Sequence, residues 1–261
     1  MSSGPARLMV RTSTEHLSVV VVIPTYNELE NLGATVSHAL EVEGIRLLIV
    51  DDESPDGTGG LADSLSAQHG SRVSVLHRQG ARGLGSAYLD GFRAALDSGA
   101  DIICQMDADG SHDPRDLPSL ITLLTPVDLA IGSRYVPGAR VSDWPLSRHL
   151  LSRLGNAYVR LITGLHIHDV TSGFRAWRRS ALERLPLDRI RSIGHGFQVE
   201  MTHTATLLNL RIVEIPITFR NRRRGVSKVS PRIVGESLVG PWRIAHRSDA
   251  YASESRRDAR E

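Results

Sequence analysis

Apolar and polar positions follow two alternating patterns along the first half of the chain. Short, continuous apolar runs rich in β-branched residues are typical of strands buried on both faces. They occur at 17–23, 46–51, 73–77, 102–106 and 128–131. Between these runs, apolar residues recur at helical spacing, which predicts helices over 29–40, 61–68, 84–96 and 117–124. Strands that alternate with helices indicate an α/β fold with a mainly parallel central sheet and helices on both faces.

The pattern changes after about residue 135. A segment rich in Pro, Gly and Arg comes first, and then a helical pattern, a loop, a second helix and an alternating strand, over 146–162, 166–173, 196–208 and 211–219. Pro216 predicts an edge or bulged position for that strand, because proline cannot donate a hydrogen bond within a central ladder.

We divide the chain into two halves of a single domain, which its 261 residues can form. Residues 17–135 are predicted to bind a nucleotide and residues 136–247 an acceptor, with flexible termini at 1–16 and 248–261. We find no signal peptide, and the longest apolar run is far shorter than a membrane span, so we expect a soluble or peripheral protein.

Composition narrows the chemistry only slightly. Cys104 is the single cysteine, which excludes an internal disulfide and suits a reducing compartment. The net charge of +2 excludes no class of partner. Lys228 is the only lysine, so any anion site is predicted to use the planar fork of arginine.

Polar segments follow every predicted strand of the first half. In an open α/β sheet, ligands bind beyond the carboxyl ends of the strands. Each segment alone is also typical of turns and helix caps. Their convergence on one crevice favours a ligand site. The segments are Pro24-Thr25-Tyr26-Asn27-Glu28, Asp51 to Thr58, Arg78 to Gly85, Asp107 to His112 and Gly132-Ser133-Arg134-Tyr135.

Asp107-Ala108-Asp109 is the segment that suits a metal ion. Carboxylates at the end of an apolar strand can hold a hard divalent cation that bridges two phosphates. Alternate residues of an extended chain point to opposite sides, so both carboxylates reach one ion only if the chain turns, which Gly110 permits. Otherwise one of them acts through water or through the sugar.

Taken together, several motifs resemble family 2 of the inverting glycosyltransferases, over about residues 17–247. Within that family the pattern is most similar to the dolichol- and polyprenol-phosphate mannose synthases. The motifs that carry the resemblance are Val22 to Glu28, Val50-Asp51-Asp52 with Ser54 to Thr58, Met106 to Asp109, Gly132 to Tyr135, Thr171 to Arg175, and Gly196-Phe197-Gln198 with Glu200.

The resemblance implies a Rossmann-like GT-A fold, GDP-mannose as donor, polyprenyl phosphate as acceptor, and Mg²⁺ or Mn²⁺ as cofactor. It implies a catalytic set of Asp107, Asp109 and Arg134, and a nucleotide-sugar site of Pro24, Tyr26, Glu28, Asp52, Asp107, Ala108 and Asp109. The metal ligands would be Asp107, Asp109 and Ser111, which stands where relatives often have glutamine. The acceptor phosphate would be held by Arg134, Arg148, Ser152, Gln198 and Arg224.

This chemistry needs orientation more than a general base. A phosphate monoester has a second pKa near about 6, so it is largely ionised at neutral pH. Arginine forks can orient it. We therefore expect direct displacement at the sugar C1 by a phosphate oxygen, with inversion.

Alternatives remain open at this stage. A polyprenyl-phosphate glucosyltransferase or another UDP-sugar transferase would share the first half, and a non-catalytic nucleotide-sugar-binding membrane scaffold is a different class. The arginines from Arg220 onward indicate either a solvated surface or contact with a membrane, and no motif indicates nucleic acid. We expect a peripheral location on the cytoplasmic face of a membrane, with an anchoring protein as a further option. The histidines are interpreted as ordinary loop residues.

Overall fold

The computed structural model describes residues 17–80, 83–221, 235 and 238–247. The strands are β1 Val19–Thr25, β2 Ile45–Asp51, β3 Val73–His77, β4 Ile102–Gln105, β5 Leu129–Ser133, β6 Arg140–Val141, β7 Arg175–Arg178, β8 Ile212–Pro216 and β9 Thr218–Phe219. The helices are α1 Leu29–Leu40, α2 Thr58–His69, α3 Leu84–Asp97, α4 Leu117–Thr122, α5 Leu146–Thr163, α6 Arg179–Arg184, α7 His195–Leu207 and α8 over 238–247.

A seven-stranded sheet forms the centre, in the order β3-β2-β1-β4-β7-β5-β8. All neighbours run parallel except β7, which lies antiparallel between β4 and β5. Along β1, Val21 and Ile23 pack into one core with α1, α2 and α4, and Val20 and Val22 pack into a second core with α3, α6 and α7. The predicted α/β fold with helices on both faces is therefore confirmed.

Helix α3 lies unusually close to the sheet because glycine replaces a side chain at the contact. A Cβ added at Gly91 would lie 2.4 Å from Cγ1 of Val22, and one at Gly85 would lie 3.0 Å from Cδ2 of Phe197. Both distances are too short for any side chain to fit without movement. The close approach brings the side chain of Tyr88, on the same helix, under the end of β4.

The second half of the chain differs from its prediction in its number of elements. The sequence pattern did not predict β6, β7 or α6. The predicted strand over 211–219 divides at Ile217: β8 becomes the last strand of the sheet, whereas β9 pairs with β6. Pro216 ends this edge strand, as predicted.

The division into two halves stays a prediction. Strands β7 and β8 of the second half complete the sheet begun by the first half, so the two halves share both hydrophobic cores. Within the described part of the chain, no helix is both long and apolar enough to span a bilayer.

Candidate active site

The loop after β4 carries the two predicted metal ligands. The chain turns at Gly110, whose φ is +72°, and the amide of Ser111 donates to Asp109 Oδ1 at 3.0 Å. The amide of Asp107 donates to Nδ1 of His112 at 3.2 Å. This turn is the one that the sequence required if both carboxylates are to serve one ion. A cavity of about 520 Å³ opens beside Asp109 and His112 and extends along α1.

Tyr88 positions the first carboxylate. Its hydroxyl donates to Asp107 Oδ1 at 3.0 Å, and its fully buried ring stacks parallel to that of Phe197 at 5.9 Å. Burial, then the charge of Asp107 and the hydrogen bond to it, raises the pKa of Tyr88 well above its ordinary value. The phenol therefore stays a donor at any working pH. Sequence reasoning missed this role, because Tyr88 belongs to the apolar face of a helix.

The donor set suits a cation that is completed by a ligand. No group of three or more Asp, Glu, His or Cys side chains in the described residues could hold a metal by itself. Asp107 and Asp109 would supply two carboxylates, and Mg²⁺ commonly binds one or two carboxylates together with substrate phosphates and water. Ser111 is buried beside them, and its carbonyl accepts from the amide of Arg220 at 3.0 Å.

The predicted nucleoside residues lie where the loops after β1 and β2 are joined. The amide of Glu28 donates to the Thr58 hydroxyl at 3.0 Å, and the amide of Asn27 donates to the Ser54 hydroxyl at 3.1 Å. Pro24 is buried in β1, and Tyr26 is half-buried. These contacts fix the two loops to each other at the carboxyl ends of neighbouring strands.

Asp52 is held on both carboxylate oxygens. Arg78 donates to one oxygen, and the amide of Gly83 donates to the other at 2.7 Å. Arg78 also donates to Asp90 at 2.7 Å. Asp52, a residue of the predicted nucleotide-sugar site, therefore ties the ends of β2 and β3 to the start of α3. Any contact between Asp52 and a nucleotide depends on this arrangement.

Arg134 is the most constrained of the predicted acceptor residues. Its Nε and Nη2 donate to the two carboxylate oxygens of Asp169, both at 2.7 Å, and Nη2 also donates to Thr171 at 2.9 Å. Its guanidinium carbon lies 5.2 Å from the ring centre of Phe219 and 5.6 Å from that of Trp144. Both distances lie within the range of cation–π contacts.

The charge of Arg134 is preserved despite its burial. Burial acts to lower its pKa, but the hydrogen bond and the charge of Asp169, with a smaller contribution from Asp107, hold that pKa above its ordinary value. The loop that holds Arg134 also contacts the predicted metal ligand Asp107, because a Cβ added at Gly173 would lie 3.3 Å from the Asp107 carboxylate oxygens. Asp169 and Gly173 thus link Arg134, at the end of β5, to the loop after β4.

Arg148 and Ser152 converge on the same aromatic residues as Arg134. The guanidinium carbon of Arg148 lies 4.3 Å from the centre of the Trp144 ring, and Nη1 donates to Asn221 at 2.9 Å. The hydroxyls of Ser152 and Tyr135 are 2.5 Å apart. Trp144 and Tyr135 thus connect the end of β5 with one side of α5.

Gln198 lies apart from this group. It is 1% exposed, its Oε1 accepts from Gln105 at 3.3 Å, and its Nε2 has no hydrogen-bond partner among the described residues. Its acceptor role stays a prediction. Arg224 lies outside the described residues. The buried side chain of Arg175 links the loop over 166–173 to α7. It donates to the carbonyls of Ser172 at 2.7 Å and Gln198 at 3.1 Å.

Asp169 and Glu214 are the supporting residues that sequence reasoning left without a role. Asp169 is fully buried and binds both the side chain and the amide of Arg134. Glu214 on β8 accepts from the amides of His168 and Asp169, at 2.7 and 2.8 Å. The strand β8 therefore fixes the loop that orients Arg134, and only the three-dimensional arrangement reveals this connection.

Comparison with solved structures identifies the fold of this protein. Glucosyl-3-phosphoglycerate synthase from Mycobacterium tuberculosis, solved with Mn²⁺, UDP-glucose and phosphoglyceric acid, has a TM-score of 0.62 at 20% identity over 87% of this chain and 80% of its own. A mannosyltransferase from Pyrobaculum calidifontis, solved with GDP-mannose and Mn²⁺, has a TM-score of 0.56 at 17% identity over 90% of this chain and 75% of its own. The protein therefore has the GT-A fold.

Sequence comparison places it further. The model of glycosyl transferase family 2 matches residues 20–186, and the chain belongs to that family. An undecaprenyl-phosphate mannosyltransferase of Micrococcus luteus is 47% identical over 88% of this chain and 96% of its own length. A polyprenol monophosphomannose synthase of Mycolicibacterium smegmatis is 46% identical over 88% of each chain.

Proposed function

We propose that this enzyme transfers mannose from GDP-mannose to the phosphate of a polyprenol lipid, with inversion at the sugar C1. The observation that carries the proposal is the position of Arg134. Arg134 binds Asp169 in the loop whose Gly173 lies against Asp107, and it shares Trp144 with Arg148. Relatives at 47% and 46% identity are named for mannosyl transfer to undecaprenyl phosphate and for polyprenol monophosphomannose synthesis.

The donor would bind across the ends of β1, β2 and β4. Pro24, Tyr26, Glu28 and Asp52 would surround the nucleoside, and Asp107, Ala108 and Asp109 would face the diphosphate. Asp107 and Asp109, with Ser111 as a weaker third ligand, would hold Mg²⁺ or Mn²⁺. The ion would supply positive charge that stabilises the departing diphosphate. Both solved neighbours were crystallised with Mn²⁺, which supports a divalent metal.

The acceptor phosphate would bind between Arg134, Arg148 and Ser152, with Gln198 and Arg224 as further predicted contacts. Because a monoester is largely ionised near neutral pH, its oxygen can attack C1 without a general base. One C–O bond to the acceptor phosphate forms as the bond to the diphosphate breaks, and the leaving GDP takes the electron pair. Arg134 would orient the attacking phosphate, and Asp169 would hold Arg134 in place.

A membrane surface is the expected partner of the second half. The exposed side chains of Leu150, Leu151 and Leu154 lie on α5, the same helix that carries Arg148 and Ser152. The cytoplasmic face of that membrane remains the predicted location. An anchoring protein would be an additional partner.

Transfer and donor choice are testable separately. Radiolabelled GDP-mannose and a short polyprenyl phosphate should give a lipid-soluble, labelled product only when Mn²⁺ or Mg²⁺ is present. In a thermal-shift panel with Mn²⁺, GDP-mannose should raise the unfolding temperature more than UDP-glucose or UDP-N-acetylglucosamine does. A larger shift with UDP-glucose would favour the polyprenyl-phosphate glucosyltransferase. Donor binding without any transfer would favour the non-catalytic scaffold.

A further inference from the structure

A basic groove lies between the loop that precedes α7 and the helix α8. Its volume is about 400 Å³, and its lining residues are Arg191, Ser192, Ile193, Gly240, Arg243, His246 and Arg247. No lining residue among them is acidic. The groove is separate from Arg134 and Arg148, which border the predicted acceptor site.

Buried contacts fix both walls of the groove. Glu200, whose side chain is 5% exposed, accepts from the amides of Arg191 at 3.0 Å and Ser192 at 2.7 Å. Its other oxygen lies 3.5 Å from Nη2 of Arg247. Ile244 anchors α8 in a small apolar core between α5 and α7. Glu200 contacts one of the three arginines that line the groove.

Exposed apolar side chains lie on the elements that form the groove and on the neighbouring helix α5. Ile193 is 42% exposed, and Trp242 is 61% exposed. Trp242 Nε1 donates to the Tyr158 hydroxyl at 3.1 Å. The Tyr158 hydroxyl in turn donates to the Leu238 carbonyl at 2.6 Å. This contact joins α8 to α5, where Leu161 is 84% exposed. Basic groups beside tryptophan and aliphatic residues on a surface helix are typical of segments that lie in a membrane interface.

We propose that this groove binds the phosphate of an anionic phospholipid headgroup. The exposed apolar side chains of Ile193, Leu238 and Trp242, on the same elements, would enter the bilayer. A free anion would use the arginines but would leave Ile193, Leu238 and Trp242 in water, whereas a bilayer surface satisfies both. The proposal rests on the proposed function only in that a lipid acceptor brings the enzyme to a membrane. The groove is a docking site, and the reacting phosphate binds elsewhere.

Vesicle co-sedimentation of the full chain tests the proposal. Wild-type protein should bind vesicles of phosphatidylglycerol and phosphatidylcholine more tightly than vesicles of phosphatidylcholine alone. The double variant Arg191→Gln/Arg243→Gln should lose roughly fivefold in affinity per arginine, or about twenty-fivefold in all, on the anionic vesicles. Binding to neutral vesicles should change little, because only the electrostatic contribution is removed.

A matched control removes the same charge elsewhere. The control variant is Arg72→Gln/Arg184→Gln, and both arginines are exposed. Arg72 precedes β3, which is an edge strand of the sheet. Arg184 donates to the carbonyl of Leu208, beyond the end of α7. This control should bind both kinds of vesicle nearly as wild type does. A second variant, Trp242→Ser, should weaken binding to both kinds, because it removes apolar area. Thermal unfolding of each variant checks that the fold is kept.

Three results would overturn the proposal. The wild type could show no preference for anionic vesicles, the groove variant could bind as wild type does, or the control could lose as much. Binding of inorganic phosphate that the groove variant abolishes, without any preference for anionic vesicles, would assign the groove to a free anion. A wild type that docks on vesicles yet transfers no mannose would refute the proposed function alone.

Discussion

The donor end and the acceptor end of the site differ in how their ion pairs are supported. At the donor end, Arg78 pairs with both Asp52 and Asp90, and amide-to-hydroxyl hydrogen bonds such as that from Glu28 to Thr58 also join the strand ends. At the acceptor end, a buried ion pair between Arg134 and Asp169 joins residues 35 positions apart. An arginine with two carboxylate partners keeps one when the other is removed, whereas Arg134 would be left as an uncompensated buried charge without Asp169. Substitutions at the two ends should therefore differ in what they impair.

The largest effect is expected at Asp109. Asp109→Asn should abolish transfer and remove the dependence of GDP affinity on Mn²⁺, because a neutral amide is a much weaker ligand for a hard cation. Calorimetric titration with GDP, with and without Mn²⁺, measures this. Asp113→Asn, in the same loop, is the control and should keep the metal dependence, since Asp113 is bound to Arg115. Metal-assisted affinity that survives in Asp109→Asn would refute the assignment.

Asp169→Asn should have the next largest effect, and it should fall on the acceptor. The variant leaves Arg134 without its charged partner, which should cost about 3–5 kcal/mol of stability if the burial persists. The kcat/KM for polyprenyl phosphate should fall while GDP-mannose affinity changes little. Denaturant unfolding and acceptor kinetics measure the two effects.

A double-mutant cycle with Arg134→Gln gives the coupling between these two residues. Additive effects on kcat/KM would show that Asp169 does not act through Arg134.

The sequence predicts the donor end of the site more fully than the acceptor end. The strand ends of the first half follow from apolar runs, and β3 lies over the predicted residues. Strand β7 was missed because it is four residues long, has arginine at both ends and runs antiparallel within a parallel sheet. Asp169 and Glu214 act through contacts between distant segments, which no local pattern encodes. The family motif proposed Gln198 for the acceptor site, although its side chain lies in the core.

Tyr88→Phe should lower metal affinity by about tenfold, as loss of a residue that supports a metal ligand commonly does. The phenyl ring keeps the stacking with Phe197, so the fold should remain. Electron paramagnetic resonance of bound Mn²⁺ in the presence of GDP measures the affinity without any turnover. Tyr158→Phe, on α5, is the matched control. Equal Mn²⁺ affinity in Tyr88→Phe and wild type would show that the hydrogen bond to Asp107 has no effect on the ion.

Asp52→Ala should have the smallest of these effects, a several-fold loss of GDP affinity with no change in circular dichroism. Asp90→Asn removes a different carboxylate from the same arginine, Arg78, and serves as its control. A larger loss in Asp52→Ala indicates that Asp52 itself contributes to the nucleotide site. An unfolded Asp52→Ala variant would show that the residue is purely structural.

The most direct test of the division between donor and acceptor ends is made on Arg134→Ala. GDP-mannose is titrated in the presence of Mn²⁺ and without acceptor, and kcat/KM for a short polyprenyl phosphate is measured on the same preparation. Loss of a charge-assisted contact of about 1.5–3 kcal/mol should lower kcat/KM about ten- to a hundredfold. Donor affinity should stay within about twofold of wild type. An equal fall in donor affinity and in kcat/KM would place Arg134 on the donor diphosphate and contradict the division.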